Sequence, residues 1–217
     1  MKFNQSNNFM VQNDGSPVKA AIVMAHPDDE TIWTGGLLLT QKTWHWKVFI
    51  ATKYDTEDRP NEFKKAIASY QNYGVSSQDF EFLDVMPDVQ EYDRLNKDEI
   101  YQKLNIVDLS AYDVIFTHNM DGEYGHGNHK TLGEYLNGKN LNTWHVLCPA
   151  IQNPREKLVG EYIETVYIKP DELDRKRTIF QNSYPTQQYL WSGFSDFMTF
   201  QFYSGVEMFT RSIALIV

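Results

Sequence analysis

The chain has 217 residues, 41% of them hydrophobic, which is enough for one domain with a large buried core. Its 29 acidic and 20 basic side chains give a net charge of −9, which argues against nucleic acid or an anionic membrane as main partner, since both need a basic face. A single cysteine, Cys148, excludes an internal disulfide; it lies in the apolar run Trp144 to Cys148, where a buried structural thiol is expected.

Residues 1–17 lack the apolar core of a signal peptide and read as a partly ordered, flexible extension. No later stretch has the ~18 consecutive apolar residues of a membrane span, so a soluble cytoplasmic protein is expected. The run Ala20-Ala-Ile-Val-Met-Ala25 suits a parallel strand buried on both faces, stopped by Pro27, which lacks a backbone donor. Residues 31–42 then read as a helix. His26, Asp28, Asp29 and Glu30 therefore fall on the strand-to-helix turn, at the sheet edge where open α/β proteins bind ligands. His26 and Asp29, three residues apart across a tight turn, can reach one divalent metal, with Asp28 beside them as a base. The plainer reading makes the three acids helix-capping residues and His26 a hydrogen-bonded turn residue.

A second strand is predicted over 46–53, followed by a polar loop over 54–60. Residues 61–73 place Phe63, Ile67 and Tyr70 on one face of an amphipathic helix that ends at Gly74. Phe80 to Leu83 is a short third strand running into a loop at 86–88, and Lys97 to Asn105 suits a helix. Val114 to His118 is another apolar strand, entering the loop Asn119 to His129 before a helix predicted over 130–141. This second loop favours the metal reading, because His126 and His129 add a third ligand and one more polar group at the same sheet edge.

Trp144 to Cys148 is the next strand, 162–168 alternates like a strand, and 171–182 reads as a helix. The aromatic-rich stretch 189–209 suits a helix packed on the sheet, a lid or a contact within a homo-oligomer, and packing fits best. His45 and His145 have no motif context and read as structural or surface residues. No repeat, low-complexity tract or linker divides the chain, so residues 1–217 are expected to form one three-layer α/β/α, Rossmann-like domain with a mostly parallel sheet.

The turn His26-Pro-Asp-Asp-Glu30 and the loop Gly125-His-Gly-Asn-His129 resemble the paired motifs of the LmbE-like or PIG-L zinc-dependent deacetylases, which remove the acetyl group from N-acetylglucosamine units. Gly35-Gly36, Gly74-Val75 and Tyr184-Pro-Thr-Gln187 are weaker echoes. The resemblance implies one zinc ion per chain held by His26, Asp29 and His129, with Asp28 as general base and His126 facing the oxyanion. It implies supporting places for Glu30, His118, Asp121 and Asn128, and a substrate contact for Arg59. The implied partner is a small N-acetylated sugar or glycoconjugate. Asn128 stands where many relatives carry an aspartate that pairs with the first histidine of the loop. His126 is thus expected to hold its proton less firmly, unless Glu123 or Asp121 supplies the carboxylate. Two other readings are a zinc hydrolase of a different amide in natural-product tailoring and a non-catalytic sugar- or metal-binding module. An intact Asp28 speaks against the second, because a structural site has no need of a base.

Overall fold

The computed structural model describes residues 9–11, 15–52, 58–76, 78–85, 95–149, 161–190 and 196–212. The expected loop at 86–88 lies outside them. Strand β1 (Lys19–Met24) is the third strand of a seven-stranded sheet. On one side it pairs in parallel with β2 (His45–Ile50), which pairs with β3 (Gln78–Phe82). On the other side come β4 (Val114–Thr117) and β5 (Thr143–Leu147), also parallel. The apolar run of β1 is required on both faces: Ala20, Ile22 and Met24 enter one core, Ala21 and Val23 the other.

The first core is closed by α1 (Asp29–Thr40), α2 (Arg59–Asn72) and α6 (Pro170–Ser183), through Leu37, Phe63, Ile67, Ile179 and Phe180. The second is closed by α3 (Lys97–Ile106) and α5 (Gly127–Asn137), through Ile100, Leu104, Leu132 and Leu136. A four-residue turn of helix, α4 (Gly122–Gly125), precedes α5. The result is the expected three-layer α/β/α arrangement. Phe9, from the leading extension, is fully buried and meets Trp44, Phe116, Trp144 and Phe209 edge-on, with centroids 5.0–6.1 Å apart. It works as a plug in the first core.

The C-terminal region departs from the expected packed helix. Helix α7 (Asp196–Tyr203) is followed by a strand, β7 (Val206–Ser212), which lies antiparallel between β5 and β6 (Glu161–Tyr167). The strand is hard to read because Glu207 and Phe209, two residues apart on one face, are both buried, at 1% and 0% exposure. The buried Glu207 charge is met by Lys176 Nζ and by the backbone N–H groups of Gly36 and Leu37, each at 2.7 Å. These bonds tie the last strand to α6 and to α1, the helix that starts at the His26 turn.

Candidate functional site

Both motif loops leave the carboxyl ends of adjacent parallel strands, β1 and β4, so their side chains converge. Asp28 takes φ 133°, a conformation that non-glycine residues adopt at a cost of about 1–3 kcal/mol. The strained turn folds the Asp29 carboxylate back, where Oδ2 accepts from the backbone N–H of His26 at 2.8 Å. On the second loop, Glu123 is also left-handed, at φ 55°. Gly133 lets α5 press against that loop, since a Cβ there would stand 2.5 Å from the Asn119 carbonyl oxygen. His129 is carried into the centre on the first turn of α5, which starts three residues earlier than the pattern predicts. His126 is the reason: in extended conformation, its Nδ1 accepts the Asn128 N–H at 3.3 Å and caps the helix.

Three donor atoms meet. Asp29 Oδ2 lies 3.2 Å from His26 Nδ1 and 3.4 Å from His129 Nε2, and the two ring nitrogens are 3.3 Å apart. Ligands placed about 2.0–2.2 Å from one tetrahedral ion stand roughly 3.4 Å from each other, so this spacing fits a single divalent cation. The grouping is wider than three residues, since Asp29 and His129 also cluster with His118, and His26 and His129 with His126.

Hydrogen bonding sorts the histidines. Glu123 Oε2 takes the Nδ1 protons of His129, at 2.5 Å, and of His118, at 3.1 Å. Nε2 of His118 accepts the Ala25 backbone N–H at 3.0 Å and lies 3.3 Å from Asp29 Oδ2, whereas Nε2 of His129 faces both Asp29 and His26. His118 is therefore tied to the backbone of the first loop, and His129 Nε2 is turned into the centre of the cluster, toward both Asp29 and His26.

The buried charges shift one another. Burial works to raise the Glu123 pKa, but His118 and His129 outweigh it and hold the carboxyl at about 2. Asp29 is held well below the usual carboxylate range in spite of burial, by His129 and His118. His129 is pushed up to about 10 against its own burial, by Asp29 and Glu123. Burial lowers His26, and with the neighbouring His129 and His26 it lowers His126 to about 3. Burial raises Asp28 well above the carboxylate range, with Arg59 opposing, and raises Glu30 to about 7.

Residues 21–137 match the family description "PIG-L: GlcNAc-PI de-N-acetylase". The chain belongs to the PIG-L family. A curated relative, uncharacterized protein L374 of Acanthamoeba polyphaga mimivirus, is 27% identical over 171 residues, covering 71% of this chain and 73% of that one. Among solved structures, the A40926 pseudoaglycone deacetylase Dbv21 superposes with TM-score 0.64 at 12% identity, over 92% of this chain and 99% of its own. The N,N'-diacetylchitobiose deacetylase from Pyrococcus horikoshii gives TM-score 0.53 at 16% identity, over 91% and 76%. At such identities these likenesses speak for the fold.

Within this PIG-L chain, His26, Asp28, Asp29, His126 and His129 gather at one sheet edge, with Glu30 and His118 behind them. Glu30 Oε2 accepts the Asp28 N–H at 3.1 Å, while Oε1 accepts from Thr31 and Tyr184, each at 2.6 Å. Three expected placements change. Asp121 is exposed, and the carboxylate on His118 and His129 is that of Glu123, which Asn119 fixes by donating its backbone N–H at 2.8 Å. The Asn128 side chain reaches His26 Nε2 at 2.9 Å, only its backbone N–H meeting His126, and the Glu123 carboxylate is on His118 and His129 rather than on His126. Arg59 is not in a loop but opens α2, where Pro60 suits the first turn, and its guanidinium lies on Asp28 Oδ2 at 2.9 Å. Of the histidines without motif context, His45 is exposed and His145 is buried against the His118 carbonyl at 2.7 Å. Among the described residues no helix is long and apolar enough to cross a membrane.

Proposed function

We propose that the protein is a cytoplasmic hydrolase that uses one zinc ion per chain to remove the acetyl group from an N-acetylglucosamine-type sugar or glycoconjugate. The observation that carries this reading is the mutual 3.2–3.4 Å spacing of His26 Nδ1, Asp29 Oδ2 and His129 Nε2, with the Asp28 carboxylate beside them and outside the set. Two nitrogens and one carboxylate oxygen from the protein are the donor set of a catalytic zinc site, which keeps a coordination position open. Family membership and the deacetylases among the structural neighbours support the choice of an N-acetyl substrate.

When bound, zinc supplies Lewis acidity to the amide carbonyl and lowers the pKa of water. The remaining work belongs to the chain. Asp28, held through Oδ2 by Arg59, takes the proton from the attacking water. The water oxygen bonds to the acetyl carbon, the carbon–nitrogen bond breaks, and Asp28 returns the proton to the departing amine, giving acetate and a free amino sugar. His126 Nδ1 is occupied by the Asn128 N–H, so its single neutral proton sits on Nε2, ready to donate to the oxyanion.

Acetate release from a panel of N-acetylated sugars, N-acetylated glycopeptides and simple N-acetyl amines tests the reading. Turnover of the sugar compounds, lost with chelator and restored by zinc, is the expected result. Zinc-dependent cleavage of the non-sugar amides alone would assign another substrate class, and absence of turnover throughout would leave a binding module.

A further inference from the structure

Arg59 has an architecture that a substrate contact does not need. It is 6% exposed, on the first residue of α2, and the same nitrogen, Nη2, reaches two points of the His26 turn: Asp28 Oδ2 at 2.9 Å and the Pro27 carbonyl oxygen at 2.8 Å. Those two acceptors are the carbonyl before, and the side chain of, the residue of the turn with strained backbone, Asp28 at φ 133°. The other side of the turn is held from α6, because the Asp28 N–H is taken by Glu30, and Glu30 is held by Tyr184 at the end of that helix.

We infer that Arg59 is a positioning residue that clamps the Asp28 turn. One guanidinium nitrogen fixes both the carbonyl before the strained residue and one oxygen of its carboxylate, so the peptide cannot relax toward an unstrained φ. Engaging Oδ2 leaves Oδ1 as the oxygen that meets the water. A lysine would replace the fixed in-plane N–H pair of Nη2 by rotatable donors on a strongly hydrated ammonium at the end of a flexible stem, so it should hold the two acceptors less rigidly. The role in catalysis rests on the proposed reading of Asp28 as the base; the clamp itself is measurable without turnover.

Two measurements test it. In thermal unfolding of metal-free protein, Arg59→Met is compared in the wild-type and Asp28→Asn backgrounds. A clamp predicts a clear fall in Tm in the first and a much smaller one in the second, because the partner is already weakened. Equal falls in both backgrounds overturn it. In steady-state kinetics of the zinc-loaded enzyme, Arg59→Met and Arg59→Lys should lose kcat by about 10–100-fold with KM within about twofold of wild type, as expected when geometry at the reacting groups is lost. A raised KM with kcat retained makes Arg59 a substrate contact and overturns the inference. A wild-type enzyme that releases no acetate, while the Tm falls remain non-additive, removes the deacetylase reading and leaves the clamp.

Discussion

Asn128 joins the two motif loops: its Nδ2 lies 2.9 Å from His26 Nε2, while its Oδ1 is buried with no hydrogen-bond partner among the described residues. A neutral imidazole carries one proton. If Nε2 accepts from the amide, that proton sits on Nδ1, the atom that faces Asp29 and His129. A half-turn of the near-isosteric amide lets Oδ1 accept from Nε2–H and turns the Nδ1 lone pair toward those donors. A cation bound at Nδ1 would select this second arrangement, and the amide would then orient His26 without adding a charge.

Asn128→Leu should therefore weaken zinc binding by about 10–100-fold, read by competition with a chromophoric chelator, whereas Asn128→Asp, which still accepts, should stay close to wild type. Wild-type affinity in Asn128→Leu would falsify the orienting role.

Asp28→Asn should keep zinc and the fold and lose about 100-fold or more in acetate release, since the amide cannot take a proton. Retained turnover would remove Asp28 as the base. Loss of metal from this variant would instead make Asp28 a ligand, contrary to the Asp29 geometry.

Glu123 gives the metal-free protein an acid-labile component. Its folded pKa, about 2, lies below the ordinary 4.5, so the stability it adds is present above about pH 4.5 and is lost as pH falls toward 2. The full shift corresponds to roughly 3 kcal/mol. Urea unfolding at neutral pH and at about pH 3 should show this loss in wild type and a much flatter dependence in Glu123→Gln. Equal slopes in the two proteins would mean that other carboxylates carry the acid sensitivity.

Two lysines should behave very differently. Lys176 is fully buried, 2.7 Å from Glu207, and also donates to the carbonyls of Ile32 and Gln201. Lys176→Met leaves the Glu207 charge buried without a cation and should cost about 3–5 kcal/mol in denaturant unfolding. Lys47 pairs with Asp79 at the same 2.7 Å, but the Asp79 side chain is 75% exposed, and Lys47→Met should cost no more than ~1 kcal/mol. Similar losses at both positions would show that burial does not decide the outcome.

The sequence made β1 and its turn readable because an uninterrupted apolar run meets Pro27 and a cluster of acids, and the same holds for β4 and its histidines. What stayed hidden was settled by side chains acting on backbone or on each other. His126 starts α5 early by accepting the Asn128 N–H, an uncommon cap with no propensity signal. Glu123 orients two histidines from a left-handed turn, and a single glutamate in a polar loop does not announce such a partner. β7 is masked because its inward face carries a charge, intelligible only once Lys176, 31 residues earlier, is brought beside it.

The order of the strands also bears on how the domain is made. Among the described strands β6 touches only β7, and β7 is the last of them in the chain. A polypeptide on the ribosome that has not yet reached Val206 has no bridge between β5 and β6, and its Lys176 has no counter-ion. Glu207 also supplies the acceptors for Gly36 and Leu37, two turns along the helix that begins at Asp29. Both motif loops are synthesised by residue 129, yet the scaffold that steadies them closes some 80 residues later. Capture of zinc should therefore be a late event in biosynthesis. Stalled chains ending at residue 205 should bind it far more weakly than chains in which residue 212 has cleared the exit tunnel, and equal retention by both would show that the motif turn matures without its last strand.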